Sequence, residues 1–346
     1  MKPNDKSKGA NAVGHKSVIS AVTTAIYDRF TNKGQLEPLD NSIRLDGKTC
    51  LVTGANSGLG KAVATQLAQR GAKVLMACRS GHPEAGEQVK LDSGSQQVEM
   101  LKVDLADLNS VTALCDQLRD RGIKLDIAVL NAGLMPLNAR RSPQGYELMF
   151  AVHFLANRLL LARWLQDGVI QPNTGGNKTP RVIFVSSEAH QSSQPIDFDH
   201  FGEFRDYGIK DGLKFYGLSK LHLCLLAKEL SRRLNSNEQT QVAVHALCPG
   251  PIASNIARES PVYLKPILNP IMKLFFRSPE QAAEPVVYLA CAAEMGERSG
   301  VYLHMMREKS MSEEAEDPQN GRLLWQKSEA IIAPYLSVSR EQPIAV

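Results

Sequence analysis

Short, nearly continuous apolar runs alternate along this chain with longer stretches whose apolar residues recur every three to four positions. The runs fall at 49–53, 73–78, 98–103, 125–130, 181–185 and 242–247, and helical patterns lie at 61–70, 107–121, 144–166 and 214–235. An apolar run without polar alternation is a strand buried on both faces. Strands joined through helices pair in parallel, because a parallel pair needs a long crossover. The pattern predicts an α/β fold, a doubly wound parallel sheet in a single domain over 47–305, with N- and C-terminal extensions at 1–46 and 306–346.

The flanks read differently. Residues 1–15 are small, polar and charged, as in a chain without fixed structure. Over 17–30, Val18, Ile19, Val22, Ala25, Ile26 and Phe30 keep helical spacing and predict a short amphipathic helix. Its polar face is not strongly basic, so it implies at most a weak peripheral membrane contact. Residues 31–46 read as a linker. Two segments read as insertions, 167–180 and 191–213, and 261–276 is rich in Pro, Leu, Ile, Phe and Met. Ser278-Pro279-Glu280 predicts a new helix start, 307–320 a charged loop, and 321–332 a last short helix.

Composition narrows the classes. A net charge of +4 over 346 residues carries no nucleic-acid signature. The six cysteines form no CxxC pair and the eight histidines no HExxH, so we expect reduced buried thiols, no metal and a cytoplasmic setting. No apolar run reaches the length of a membrane span.

The chemistry starts at the first run. TCLVT enters TGANSGLGK, with glycines at 54, 58 and 60. Gly54 permits a tight turn, Gly58 lets a backbone approach a phosphate, and Gly60 lets helix and strand pack closely. The helix then presents its positive end to a pyrophosphate. Arg79 follows the second strand where an acid would bind ribose hydroxyls, so NADP(H) is favoured over NAD(H). Asp104-Leu105 ends the third strand, where a carboxylate reaches an adenine amino group. Asn131-Ala132-Gly133 ends the fourth, where small residues let the chain pass close to a cofactor. Tyr216 has Lys220 four residues on, one helical turn away on the same face, and a cation beside a phenol favours the phenolate. Val185-Ser186-Ser187 ends a strand and offers a hydroxyl to a carbonyl oxygen. His190 nearby invites a Ser-His hydrolase, but no GxSxG elbow accompanies it.

Together these pieces resemble the short-chain dehydrogenase/reductase superfamily over residues 45–305, and its retinol-dehydrogenase-like and carbonyl reductase branch in TGANSGLGK, ACRS, SSEAH, YGLSK and SPEQAAEP. The resemblance implies a Rossmann fold and a set of roles. Tyr216 is the acid/base. Lys220 holds the nicotinamide ribose and lowers the Tyr216 pKa. Ser187, with Ser186 as second choice, polarises the carbonyl. Gly54, Ser57, Gly58, Leu59 and Gly60 cradle the pyrophosphate. Asp104, Leu105, Asn131, Ala132 and Gly133 line the adenosine side. Pro249, Gly250, Ile252 and Ser254 flank the nicotinamide. His153 stands where the family has an Asn that holds a relay water, and a histidine there can hold a water and titrate near neutrality.

The implied activity is hydride transfer between NADP(H) and an apolar carbonyl or alcohol, retinoid-, steroid- or lipid-like, under substrate-covering segments 191–213 and 255–277. The resemblance also implies a homo-oligomer, dimer or tetramer, through the helix that carries Tyr216 and its neighbour. Two rival readings are a cofactor-binding sensor or scaffold that has lost turnover, motivated by His153, and a C=C reductase of the protochlorophyllide-reductase type.

Overall fold

The computed structural model describes residues 36–176, 179–235, 239–252 and 277–336. The helix expected over 17–30, Ser254 and the apolar stretch 261–276 lie outside the described residues.

One eight-stranded sheet runs in the order β3-β2-β1-β4-β5-β6-β7-β8. The strands are β1 (Thr49–Thr53), β2 (Lys73–Cys78), β3 (Val98–Lys102), β4 (Ile127–Leu130), β5 (Arg181–Val185), β6 (Ala243–Cys248), β7 (Tyr302–His304) and β8 (Arg307–Glu308). Every neighbouring pair is parallel except the last hairpin, β7 with β8. The chain winds outward in both directions from β1, so the strand order reverses between β1 and β4. A crevice for a ligand opens at the C-terminal ends of strands flanking such a switch.

Helices cover both faces. On one face lie α1 (Gly58–Gln69), α2 (Glu84–Ser93) and α6 (Pro279–Cys291); on the other lie α3 (Leu108–Asp120), α4 (Ala156–Gln166) and α5 (Gly212–Leu234). Leu51, Leu75 and Ala77 point into one core, Cys50, Val52, Val74, Met76 and Cys78 into the other. The central strands therefore feed two cores with alternate side chains, which is why the runs read as continuous. Among the described residues no helix is long and apolar enough to cross a membrane.

Three stretches differ from the expectation. Helix α2 was not expected, because EAGEQVKLDS buries only Gly86 and Val89. The expected 144–166 helix is interrupted: a π-helical turn, Phe150–Leu155, precedes α4. The Asn157 Nδ2 donates to the His153 carbonyl at 2.7 Å, supplying that oxygen within the widened turn. The expected loop at 307–320 contains β8 and the start of α7 (Pro318–Ile332), where the Asp317 side chain accepts from Gln319 N–H and Pro318 takes the first helical position. Helix α7 lies on α5. Its Trp325 sits between the guanidinium groups of Arg158 (3.7 Å) and Arg233 (4.3 Å), and Glu329 bonds the buried Arg158.

Buried histidines give the fold a pH dependence. Burial pushes His153 and His190 below the usual imidazole range and His222 and His245 down to about 4. Below about pH 6.5 the unfolded chain binds protons that the folded chain refuses, so stability falls with pH. His304 does not offset this: its pKa is raised, so its contribution is already complete below the unfolded value. By pH 5 the cost is roughly 2 kcal/mol for each of His222 and His245. Thermal melts should show Tm several degrees lower at pH 5 than at pH 7; equal values would contradict the buried neutral state.

Candidate active site

The glycine turn has little room for side chains. At Gly60 an added Cβ would lie 2.4 Å from both Asn131 Nδ2 and the Gly54 carbonyl oxygen, and at Gly54 (φ +64°) 2.9 Å from Ala132 Cα. Asn131 Nδ2 donates to the Thr53 carbonyl at 2.9 Å, so its side chain fastens the end of β4 to the turn. Thr53 Oγ1 accepts the Asn131 and Ala132 N–H groups at 2.9 and 3.0 Å. The turn opens α1 through Gly58 at φ +53°. Ser57 occupies the N-cap position, but its side chain accepts no capping hydrogen bond among the described residues. The first amides of α1 thus face the crevice without a side-chain acceptor, the arrangement that receives a phosphate.

Around the turn, Arg79 is exposed beyond β2, with Asn56 Nδ2 donating to Ser80 Oγ nearby at 3.4 Å. Asp104 Oδ1 accepts from Ala106 N–H at 3.0 Å, and its own N–H donates to Ser110 Oγ at 2.9 Å. Leu105 and Leu59 are buried. Gly250 adopts φ +83° after β6 and Pro249, and Ile252 bridges to Arg277.

Across the crevice, the Tyr216 hydroxyl lies beside the Ser187 side chain, near enough to act on its pKa. Lys220 is buried one turn along, donating to the Val185 carbonyl at 3.0 Å, with Nζ 5.6 Å from the centre of the Tyr216 ring. Burial pushes the Tyr216 phenol up to about 12 and the Lys220 ammonium down to about 8. Burial is the larger influence on the Tyr216 phenol, and the neighbouring Ser187 side chain opposes it. At neutral pH Tyr216 keeps its proton.

His153 belongs to the same cluster. Its Nε2 accepts from Leu134 N–H at 3.0 Å and its Nδ1 lies 2.8 Å from Ser219 Oγ, which in turn donates to the Tyr216 carbonyl at 2.8 Å. An amide can only donate, so Nε2 is unprotonated and Nδ1 carries the hydrogen. Burial first, and the Lys220 cation second, hold the ring well below its usual pKa. The expectation that His153 titrates near neutrality is corrected: it is a neutral tie between the β4 loop and α5. A Cβ on Gly133 would lie 3.4 Å from His153 Nε2 and 3.7 Å from Lys220 Nζ, so that loop passes directly over both.

His190 turns away from hydrolase chemistry. Its Nδ1 donates to the Ser187 carbonyl at 2.7 Å and its Nε2 accepts from Ser312 N–H at 3.3 Å. Neither nitrogen meets the Ser187 hydroxyl.

A glycine turn at a sheet switch point, facing a Ser-Tyr-Lys set, has close counterparts among known proteins. The family model described as short chain dehydrogenase matches residues 48–197. Retinol dehydrogenase 13 of Homo sapiens is 34% identical over 311 residues, covering 87% of this chain and 89% of that protein. The chain belongs to the short-chain dehydrogenase family. Retinol dehydrogenase 14 of Mus musculus is 32% identical, with 83% and 86% covered. The RhlG/NADP active-site complex of Pseudomonas aeruginosa shares the fold at TM-score 0.56 and 23% identity, covering 77% of this chain and 98% of that one.

In this short-chain dehydrogenase the turn, Arg79 and Ser187 follow the C-terminal ends of β1, β2 and β5, and Tyr216, Lys220 and His153 lie together beside the β4 loop. Sequence reasoning passed over Thr53 and Ser219. Each lies inside a recognised motif, but only the fold shows what its hydroxyl holds.

Proposed function

We propose that this short-chain dehydrogenase is an NADP(H)-dependent oxidoreductase that transfers a hydride between nicotinamide and an apolar carbonyl or alcohol, retinoid-, steroid- or lipid-like, with Tyr216 as acid/base. The observation that carries the reading is the buried Lys220 cation, 5.6 Å from the centre of the Tyr216 ring and bonded to the Val185 carbonyl at the strand end that leads into Ser187. When bound, the dinucleotide supplies or accepts the hydride. The residues fit it: the glycine turn leaves no space for a Cβ at Gly54 or Gly60, and the α1 amides lack a side-chain cap. Gly54, Ser57, Gly58, Leu59 and Gly60 would hold the pyrophosphate, Asp104, Leu105, Ala132 and Gly133 the adenosine side, and Pro249, Gly250 and Ile252 the nicotinamide side. Asn131 acts as a positioning residue, through the turn.

Ser187 orients the substrate oxygen beside the Tyr216 hydroxyl. Protonated at neutrality, Tyr216 gives its proton to the developing alkoxide during reduction; alcohol oxidation needs the phenolate and so gains from higher pH. Lys220 binds ribose hydroxyls and holds positive charge beside the site. His153 keeps α5 and the Leu134 loop in register and takes no proton.

Arg79 is assigned to the 2′-phosphate. Arg79→Ala should weaken NADPH roughly 10–100-fold, the worth of a charge-assisted contact, and leave NADH within a few-fold. Equal loss for both, measured by fluorescence titration, would remove Arg79 from that role. A homo-oligomer, if formed, uses a surface other than the face of α5 on which α7 lies. The reading as a whole is tested by NADPH oxidation against apolar aldehydes and ketones.

A further inference from the structure

The register between β6 and β7 sets Cys248 opposite His304, so the two side chains stand together on one face of the sheet. The His304 imidazole lies against the Cys248 thiol, and its Nδ1 lies 3.2 Å from Glu188 Oε1. That contact is too oblique for a hydrogen bond. Neither ring nitrogen has a well-directed partner among the described residues, although His304 is only 6% exposed. Glu188 is itself fixed: it accepts from the Tyr302 hydroxyl at 2.8 Å and from the Lys309 ammonium. The turn after β7 is strained at Met305 (φ +53°), whose N–H donates to the Cys248 carbonyl at 2.7 Å and locks His304 in place. Among the described residues no group of His, Cys, Asp and Glu is arranged to hold a metal ion. The hydride-transfer chemistry uses none of these side chains, yet Cys248 sits close enough to Tyr216 and Lys220 for a charge on its sulfur to act on both.

We propose that Cys248, His304 and Glu188 form a reactive thiol site beside Tyr216 that is covalently modified by soft electrophiles, conjugated carbonyl compounds above all. Burial disfavours the His304 cation, but its contacts with Cys248 and Glu188 prevail and raise it to about 10. The His304 cation stands beside the sulfur with the Glu188 carboxylate balancing its charge, and the thiol proton is lost to solvent as the sulfur attacks; Cys224, Lys309, Lys220, Tyr216 and Tyr302 are the other ionisable groups close by. The sulfur then bonds to the β-carbon of the conjugated carbonyl. The C=C π bond breaks, its electron pair moves to the carbonyl oxygen, and the enolate takes a proton from the His304 cation. A thioether and neutral imidazole remain, and no oxidant or reductant is consumed. The proposal does not rest on the hydride-transfer reading.

The test is limited labelling of the full-length protein with N-ethylmaleimide near neutral pH, followed by peptide mapping. Simple exposure favours Cys291, which is 8% exposed against 5% for Cys248. Burial, however, pushes the Cys291 thiol up to about 11. We expect Cys248 to label first, on the order of tenfold faster than Cys291, and His304→Gln to slow Cys248 by a similar factor. Labelling of Cys291 before or alongside Cys248, or an unchanged Cys248 rate in a folded His304→Gln protein, would overturn the proposal. If His304→Gln melts early, the order of Cys248 and Cys291 in the unaltered protein decides alone.

Discussion

Tyr216→Phe should lower carbonyl turnover by roughly 10²–10⁴-fold, the range for losing a positioned general acid. The substitution removes only the hydroxyl that meets Ser187. The ring stays edge-on to His153, with centroids 5.9 Å apart, so the β4 loop and α5 keep their contact. Losing this one hydroxyl costs at most about 1 kcal/mol of stability, well short of unfolding the domain. NADPH affinity, measured by fluorescence titration, should change by a few-fold at most. Turnover close to that of the unaltered protein would take the acid/base role away from Tyr216.

Gly60→Ala should abolish tight dinucleotide binding or prevent folding. A Cβ there overlaps the Gly54 carbonyl at 2.4 Å and the Asn131 amide at 2.4 Å. A side-chain tip can swing aside, but a backbone carbonyl in the turn cannot. Overpacking of this kind costs on the order of 1–3 kcal/mol or more. The control is Gly94→Ala, at the C-terminal end of α2 with φ +70° and nothing within 4 Å of the added carbon. It should cost only about 1 kcal/mol, from backbone strain alone. Thermal melts and NADPH titration of the two proteins separate overlap from strain; equal effects would mean that close packing at the glycine turn is not what Gly60 provides.

Much of this was legible in the chain. The parallel sheet follows from apolar runs that alternate with helical spacing, and the glycine turn from three residues that tolerate close approach. What escaped has physical causes. Helix α2 buries almost nothing, so no apolar period announces it. Strands β7 and β8 are three and two residues long, below what periodicity resolves. The neutral state of His153 depends on Leu134 and Ser219, 19 positions before it and 66 after it. The effect of Lys220 on Tyr216 was inferred from helical spacing, but burial dominates both groups. Spacing identifies neighbours and says nothing about how far water is excluded. The Cys248–His304 pair depends on sheet register, which no local pattern encodes.

The most direct measurement is NADPH oxidation by the full-length protein across apolar aldehydes and ketones, with Tyr216→Phe alongside. Oxidation that requires the carbonyl substrate and disappears in Tyr216→Phe is the predicted result. Tight NADPH binding without turnover of any carbonyl would contradict it and would fit a cofactor-binding sensor on the same fold.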